Sequence, residues 1–207
     1  MNKKWIYILR MFVLAMIAGL AIGIGGIVFL SVEIKLAGAL MFTVGLYAIC
    51  VHELNLFTGK VGYLPERTPL YLFDLLVIWL GNLTGTWITA ALALHSRIKG
   101  ISELAQSMCE VKKSDGILSL FFLGILCGFL MYVAVDGYAK TKNPIILLMW
   151  VAAFILGGFE HCIADMFYFS AAEMWSFDTL LRVLVITLGN SVGGMFIPLG
   201  KKLKAAE

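Results

Sequence analysis

The chain has 207 residues, of which 61% are apolar and 14% are charged, whereas an average soluble domain has about 45–50% apolar and about 25% charged residues. A soluble fold of this composition would lack the polar surface needed to cover itself, so the composition predicts an integral membrane protein. The net charge of +3 does not indicate a nucleic-acid partner, because the 16 basic residues form short clusters near the ends of apolar segments.

Six apolar segments follow one another along the chain, and each is long enough, or nearly so, to cross a membrane. They cover residues 11–30, 36–51, 75–94, 116–135, 144–159 and 183–200. The second and fifth are only 16 residues long, and each runs into an acid beside a histidine, His52–Glu53 and Glu160–His161. We therefore predict an all-α membrane protein, a single domain over residues 1–207, with six spans of which the second and fifth are broken.

The two halves of the chain repeat this pattern. The third span of each half carries the motif G-N-x-x-G, and its asparagines, Asn82 and Asn190, are 108 residues apart. The acids of the broken spans, Glu53 and Glu160, are 107 residues apart. Two three-span repeats, about 5–95 and about 112–200, must cross the bilayer in opposite orientations. Interrupted spans at matching positions of inverted repeats indicate a transport site near the middle of the membrane.

Lysine and arginine counts predict the orientation. With six spans both termini lie on one side, which carries nine Lys and Arg residues against five on the other. The excess predicts cytoplasmic termini and a location in the plasma (inner) membrane. Because about ten residues precede the first span, we also expect no N-terminal helix that closes a pore.

The four cysteines, Cys50, Cys109, Cys127 and Cys162, form no C-x-x-C pair and have no zinc-ligand spacing. We therefore expect no disulfide framework, no metal and no cofactor.

At the broken spans the chain resembles the formate/nitrite transporter family. Residues 56–59 match that family's first signature, E-L-F-T-G-N, and residues 158–161, 163–164 and 166 match its second, G-F-E-H-S-I-A-N-M. Residues 189–190 and 193–194 match G-N-x-x-G-G in the last span. The resemblance implies an aquaporin-like protomer with its own pore, assembled as a homopentamer in membrane lipid. It also implies passage of small monovalent anions, namely formate, nitrite or related short carboxylates, with or without coupling to a proton.

The resemblance also implies roles for individual residues. His161 matches the histidine of the pore, and Thr58 matches the threonine opposite it. Asn190 matches an asparagine near that histidine. A basic residue just before the fourth span corresponds to Lys112, with Lys113 as the alternative register.

Apolar constrictions are implied on both sides of the histidine. Leu56 and Phe57 match one gate, and Phe154 matches the aromatic residue of the other. Glu160 is expected to support the site by accepting hydrogen bonds from loop amides, and Glu53 is the acid nearest to the first signature.

The chain departs from the family signatures at two positions where the family has asparagine and this chain has Lys60 and Asp165. A lone charge at the protomer centre would cost about 2.5–3.5 kcal/mol or more. We therefore hypothesise that Lys60 and Asp165 form an ion pair near the pore. The alternative is that each side chain extends to a different aqueous mouth.

Two alternatives to a formate or nitrite channel remain open. One is a hydrosulfide channel of the same fold. The other is an intramembrane thiol oxidoreductase, against which the lack of a C-x-x-C pair argues.

Overall fold

The computed structural model describes residues 2–204, and every regular element within that range is a helix. The elements are α1 (Lys3–Ser31), α2 (Lys35–Val51), α3 (Phe57–Lys60), a 3₁₀ segment (Val61–Glu66), α4 (Tyr71–Leu94), α5 (Ile101–Ser114), α6 (Ile117–Thr141), α7 (Pro144–Leu156), α8 (Cys162–Ala171) and α9 (Phe177–Lys204).

Four helices, α1, α4, α6 and α9, have the length and apolar composition to cross a membrane. They contain 24–29 residues, which corresponds to about 36–43 Å at 1.5 Å per residue and exceeds the hydrocarbon thickness of about 30 Å. These four predicted spans are confirmed. The predicted second and fifth spans appear as the shorter helices α2 and α7, with 17 and 13 residues.

Both short helices end in the same way. Each is followed by a few non-helical residues, which we call the break of that span. After α2 the backbone of Glu53 has a positive φ of 52°, and after α7 Gly158 has a φ of 71°. In both places the next N–H donates to the carbonyl five residues earlier, at 2.9 Å. This is the left-handed helix ending that satisfies carbonyls at a C-terminus. A short helix then follows each break, α3 in the first half and α8 in the second.

The long helices pack in two pairs, α1 with α4 and α6 with α9. The glycines of the two G-N-x-x-G motifs lie at these contacts. A Cβ atom on Gly85 would collide with the backbone carbonyl of Met16 in α1, and one on Gly193 would collide with that of Ile125 in α6. Small residues therefore allow the backbones to approach closely, as is usual between membrane helices.

Helix α5 lies in the connection before the fourth predicted span, where no helix was predicted. Its buried residues, Ile101, Ala105, Cys109 and Lys112, recur at helical spacing and form one stripe that faces the rest of the protein. The stripe packs on α8. It ends with a lysine in the last turn, and this lysine reaches the candidate site.

Candidate transport site

Thr58 and His161 meet at the centre of the protein, although 103 residues separate them in the chain. The Thr58 hydroxyl oxygen is 2.9 Å from His161 Nε2, and both side chains are buried. The other ring nitrogen, Nδ1, accepts a hydrogen bond from the Ala164 N–H at 3.0 Å and so caps the N-terminus of α8. Since Nδ1 accepts, the neutral ring carries its proton on Nε2 and donates it to Thr58. The Thr58 hydroxyl proton is then left to donate to a third group.

Asn190, in α9, holds the second break in place. Its side chain is fully buried. Its amide nitrogen donates to the carbonyls of Gly124 and Glu160, both at 2.8 Å, and its oxygen accepts from the Cys162 N–H at 3.0 Å. This asparagine thus satisfies loop backbone next to His161 and ties that loop to α6.

Asn82, in α4, holds the first break by the same three bonds. Its amide nitrogen donates to the carbonyls of Ala15, at 2.8 Å, and Asn55, at 2.9 Å, and its oxygen accepts from the Phe57 N–H at 2.9 Å. Asn82 was not among the predicted site residues. The signal that could have identified it is its place in the repeated G-N-x-x-G motif.

These matched bonds correct the alignment of the two halves. The backbone carbonyls of Glu160 and Asn55 accept equivalent hydrogen bonds from Asn190 and Asn82, so Glu160 and Asn55 occupy equivalent positions. The expected match of Glu53 with Glu160 is therefore wrong. Glu53 is the left-handed residue that ends α2, and its counterpart is Gly158.

A cavity of about 320 Å³ opens on one side of the Thr58–His161 pair. We call it the Lys60 cavity, and its lining includes Glu53, Leu54, Leu56, Lys60 and Lys142. Two lysines face one glutamate here, so the lining carries an excess of positive charge.

A second cavity, of about 380 Å³, reaches His161 itself. We call it the Lys112 cavity, and its lining includes Lys35, Lys112, Phe154, Glu160, His161 and Asp165. The predicted pore histidine, aromatic gate and basic residue are therefore brought together at one cavity.

Apolar side chains lie on both sides of the Thr58–His161 pair. Leu56 is buried and lines the Lys60 cavity. Phe154 lines the Lys112 cavity and stacks on the ring of His161, with the ring centroids 5.6 Å apart and an interplanar angle of 25°. Phe57 lines neither cavity. Its side chain packs in the apolar core, and its N–H is the one bound by Asn82.

Lys112 is the centre of a buried ionic cluster. Its ammonium group forms ion pairs with Glu160 and with Asp165, the latter at 2.9 Å. Burial alone would lower the pKa of Lys112, but the carboxylates of Asp165 and Glu160 raise it above its ordinary value, so the ammonium stays charged. Lys113 instead pairs with Glu110 at the surface, and of the two lysines only Lys112 lines the cavity that contains His161.

The hypothesised pair of Lys60 with Asp165 is wrong. Asp165 lies one turn into α8 and faces Lys112 of α5, while Lys60 lies at the end of α3 and lines the other cavity. Within residues 2–204 no ion pair joins Lys60 to an acid. Lys60 also borders a third cavity, of about 610 Å³, together with Arg10 and Arg67.

Comparisons with known proteins agree with this architecture. The family model described as formate/nitrite transporter matches residues 1–200. The formate channel FocA of Haemophilus influenzae is 28% identical over 201 residues, covering 77% of this chain and 70% of that protein. The nitrite transporter NirC of Escherichia coli is 32% identical over 136 residues, covering 59% of this chain and 51% of that protein.

Solved structures show the same fold. An ion channel of the FNT family superposes with a TM-score of 0.84 at 23% identity, covering 96% of this chain and 90% of that chain. A pentameric formate channel with formate bound superposes with a TM-score of 0.79 at 24% identity, over the full length of both chains.

Proposed function

Because the chain belongs to the formate/nitrite transporter family, we propose that it is a channel for formate, nitrite or a related short carboxylate. It is a multi-pass membrane protein of a transport family and not an enzyme. The observation that carries the proposal is the buried Thr58–His161 pair, which lies between two lysine-containing cavities and is flanked by apolar side chains.

The proposed architecture has six spans in two inverted repeats, with the second and fifth spans broken, as in an aquaporin-like protomer. The matched hydrogen bonds of Asn82 and Asn190 support it, since each asparagine binds the break of its own half. The formate-bound similar structure is described as pentameric, which supports a homopentamer in membrane lipid. The excess of basic residues on the side of the membrane that holds the termini supports a cytoplasmic position for both termini of a plasma-membrane protein.

The proposed path starts at the Lys60 cavity, where Lys60 and Lys142 attract the anion. Past Leu56 the anion meets the free hydroxyl proton of Thr58 and the edge of His161. A hydrogen bond from the Thr58 hydroxyl replaces part of its lost hydration, since bare anions are costly to desolvate. Beyond Phe154 the anion reaches the Lys112 cavity. A proton carried with the anion would remove most of the desolvation cost, and this is the physical basis for proton coupling.

The proposal is tested by reconstituting the purified protein in liposomes and measuring influx of radiolabelled formate, labelled nitrite and hydrosulfide. We expect saturable formate or nitrite flux above that of protein-free vesicles. Flux of hydrosulfide alone would support the other channel assignment. A protein that moves none of the three would contradict the proposal.

Replacing Phe154 with alanine should reduce selectivity by size. The substitution removes the ring that stacks on His161 and opens the Lys112 cavity toward the centre. We expect butyrate flux to rise relative to formate flux, at a stability cost of about 3–5 kcal/mol. The matched control is Phe73→Ala, since Phe73 is exposed on α4. An unchanged ratio of butyrate to formate flux in folded Phe154→Ala protein would exclude Phe154 as a constriction.

A further inference from the structure

The Lys112 cluster contains one more carboxylate than its lysine can neutralise. Lys112, Glu160 and Asp165 have side chains only 8%, 10% and 2% exposed. Lys112 contacts Asp165 through Oδ1 alone. Within residues 2–204 the other oxygen, Oδ2, is buried and has no hydrogen-bond partner.

Within residues 2–204 no cation other than Lys112 forms an ion pair with Asp165. Across from it, α5 contributes Lys112 and Cys109, the preceding loop contributes Glu160 and His161, and α6 contributes Cys127. On its own helix the titratable neighbours are Cys162 and Tyr168. Lys35 lines the same cavity but forms no ion pair with an acid in the described part of the chain. The guanidinium group of Arg182 donates hydrogen bonds to the backbone carbonyls of Lys112 and Asp115.

Charge balance therefore decides the state of Asp165. With both carboxylates ionised, the cluster carries a net charge of −1, and one buried oxygen is left without a donor. Such an uncompensated buried charge is strongly destabilising in proteins. Two carboxylates that share one site are expected to keep one proton between them.

We propose that Asp165 binds a proton on Oδ2 within the transport path and that anions pass fastest while this proton is bound. The inference rests on the proposed function, since it concerns the anion that crosses the Lys112 cavity. Binding breaks one O–H bond of a hydronium ion in the cavity and forms one on Oδ2, which leaves a water molecule; release reverses the step. Lys112 stays paired with Glu160 throughout.

The expected effect follows from Coulomb's law. When the proton leaves, the cluster becomes negative and repels an anion at His161. One charge about 10 Å away, at an effective dielectric constant of about 20, changes a rate roughly tenfold. Flux should therefore fall as pH rises through the titration of Asp165.

The test compares wild type, Asp165→Asn and Glu110→Gln in liposomes at equal pH on both sides, from about pH 5 to pH 8. Asparagine has nearly the shape of aspartate and leaves Lys112 paired with Glu160. Glu110 lies on the exposed side of α5 and serves as the control. We expect the flux ratio of Asp165→Asn to wild type to rise roughly tenfold with pH, and the ratio for Glu110→Gln to stay constant. Nitrite and formate should give the same profile, because the titrating group belongs to the protein.

A second measurement does not depend on transport or on the stability of the variant. Infrared difference spectra of the wild-type protein over the same pH range should contain the C=O stretch of a protonated carboxyl group, lost at high pH. The band should be missing in Asp165→Asn and present in Glu110→Gln. Lack of this band in wild type, or a flux ratio that does not change with pH, would overturn the inference. Lack of flux in every variant, with the band present, would instead contradict the proposed function.

Discussion

Replacement of His161 by phenylalanine is expected to abolish anion flux while the protein remains folded. Phenylalanine can still stack on Phe154, but it cannot donate to Thr58, and it removes the imidazole from the Lys112 cavity. The same change removes the cap of α8, which costs about 0.5–2 kcal/mol. Formate flux in liposomes, with thermal unfolding measured in parallel, gives the result.

Two further variants separate capping from transport. Asparagine is a good N-cap residue but has no ring to reach Thr58, so His161→Asn should recover the stability and not the flux. His95→Phe, at the exposed end of α4, should affect neither. Normal flux through His161→Phe between pH 5 and pH 8 would remove this residue from the mechanism.

Replacement of Asn190 by alanine should have the largest effect on stability. It would leave the buried Glu160 carbonyl and the buried Cys162 N–H without partners and would remove one bond to the Gly124 carbonyl of α6. Each unpartnered group costs about 1–3 kcal/mol, so the loss of about 2–6 kcal/mol is a large part of the stability of a typical domain, about 5–15 kcal/mol. We expect little folded protein, measured by size-exclusion chromatography and thermal unfolding in detergent. Asn82→Ala should behave in the same way, because its three bonds are equivalent.

Ser191→Ala is the matched control for Asn190. It is the next residue in α9, and its hydroxyl donates only to a carbonyl of its own helix, that of Thr187, at 2.7 Å. Loss of this bond should change stability little. An Asn190→Ala protein as stable as Ser191→Ala would show that the loop is held by other contacts.

The features that could be predicted from the sequence were those that produce a periodic or repeated pattern of residues. Apolar segments predicted the four long spans, and G-N-x-x-G identified the glycine contacts and the asparagine pair. The prediction that Thr58 and His161 lie opposite each other came from the resemblance to a family, since no local pattern links residues 103 positions apart.

Other features depend on the direction in which side chains point, and sequence patterns carry little information about that. Asp165 and Lys60 have opposite charges and similar positions after their signatures, yet they face different cavities. Residue type also misled the alignment of the halves, because Glu53 and Glu160 are both acids while the backbone equates Asn55 with Glu160. Helix α5 was missed because its apolar stripe is narrow and ends in a lysine.

The paired asparagines also bear on the temperature dependence of flux. Each break is tied to two helices of its own half, and these backbone groups are already satisfied without an anion. Passage that keeps these bonds needs no rocking of one half against the other, which alternating access requires. Loss of water from the anion, and not rearrangement of the protein, should then limit the rate. The temperature dependence of flux should accordingly reflect the enthalpy of removing water from the anion and should contain no contribution from a change of protein conformation.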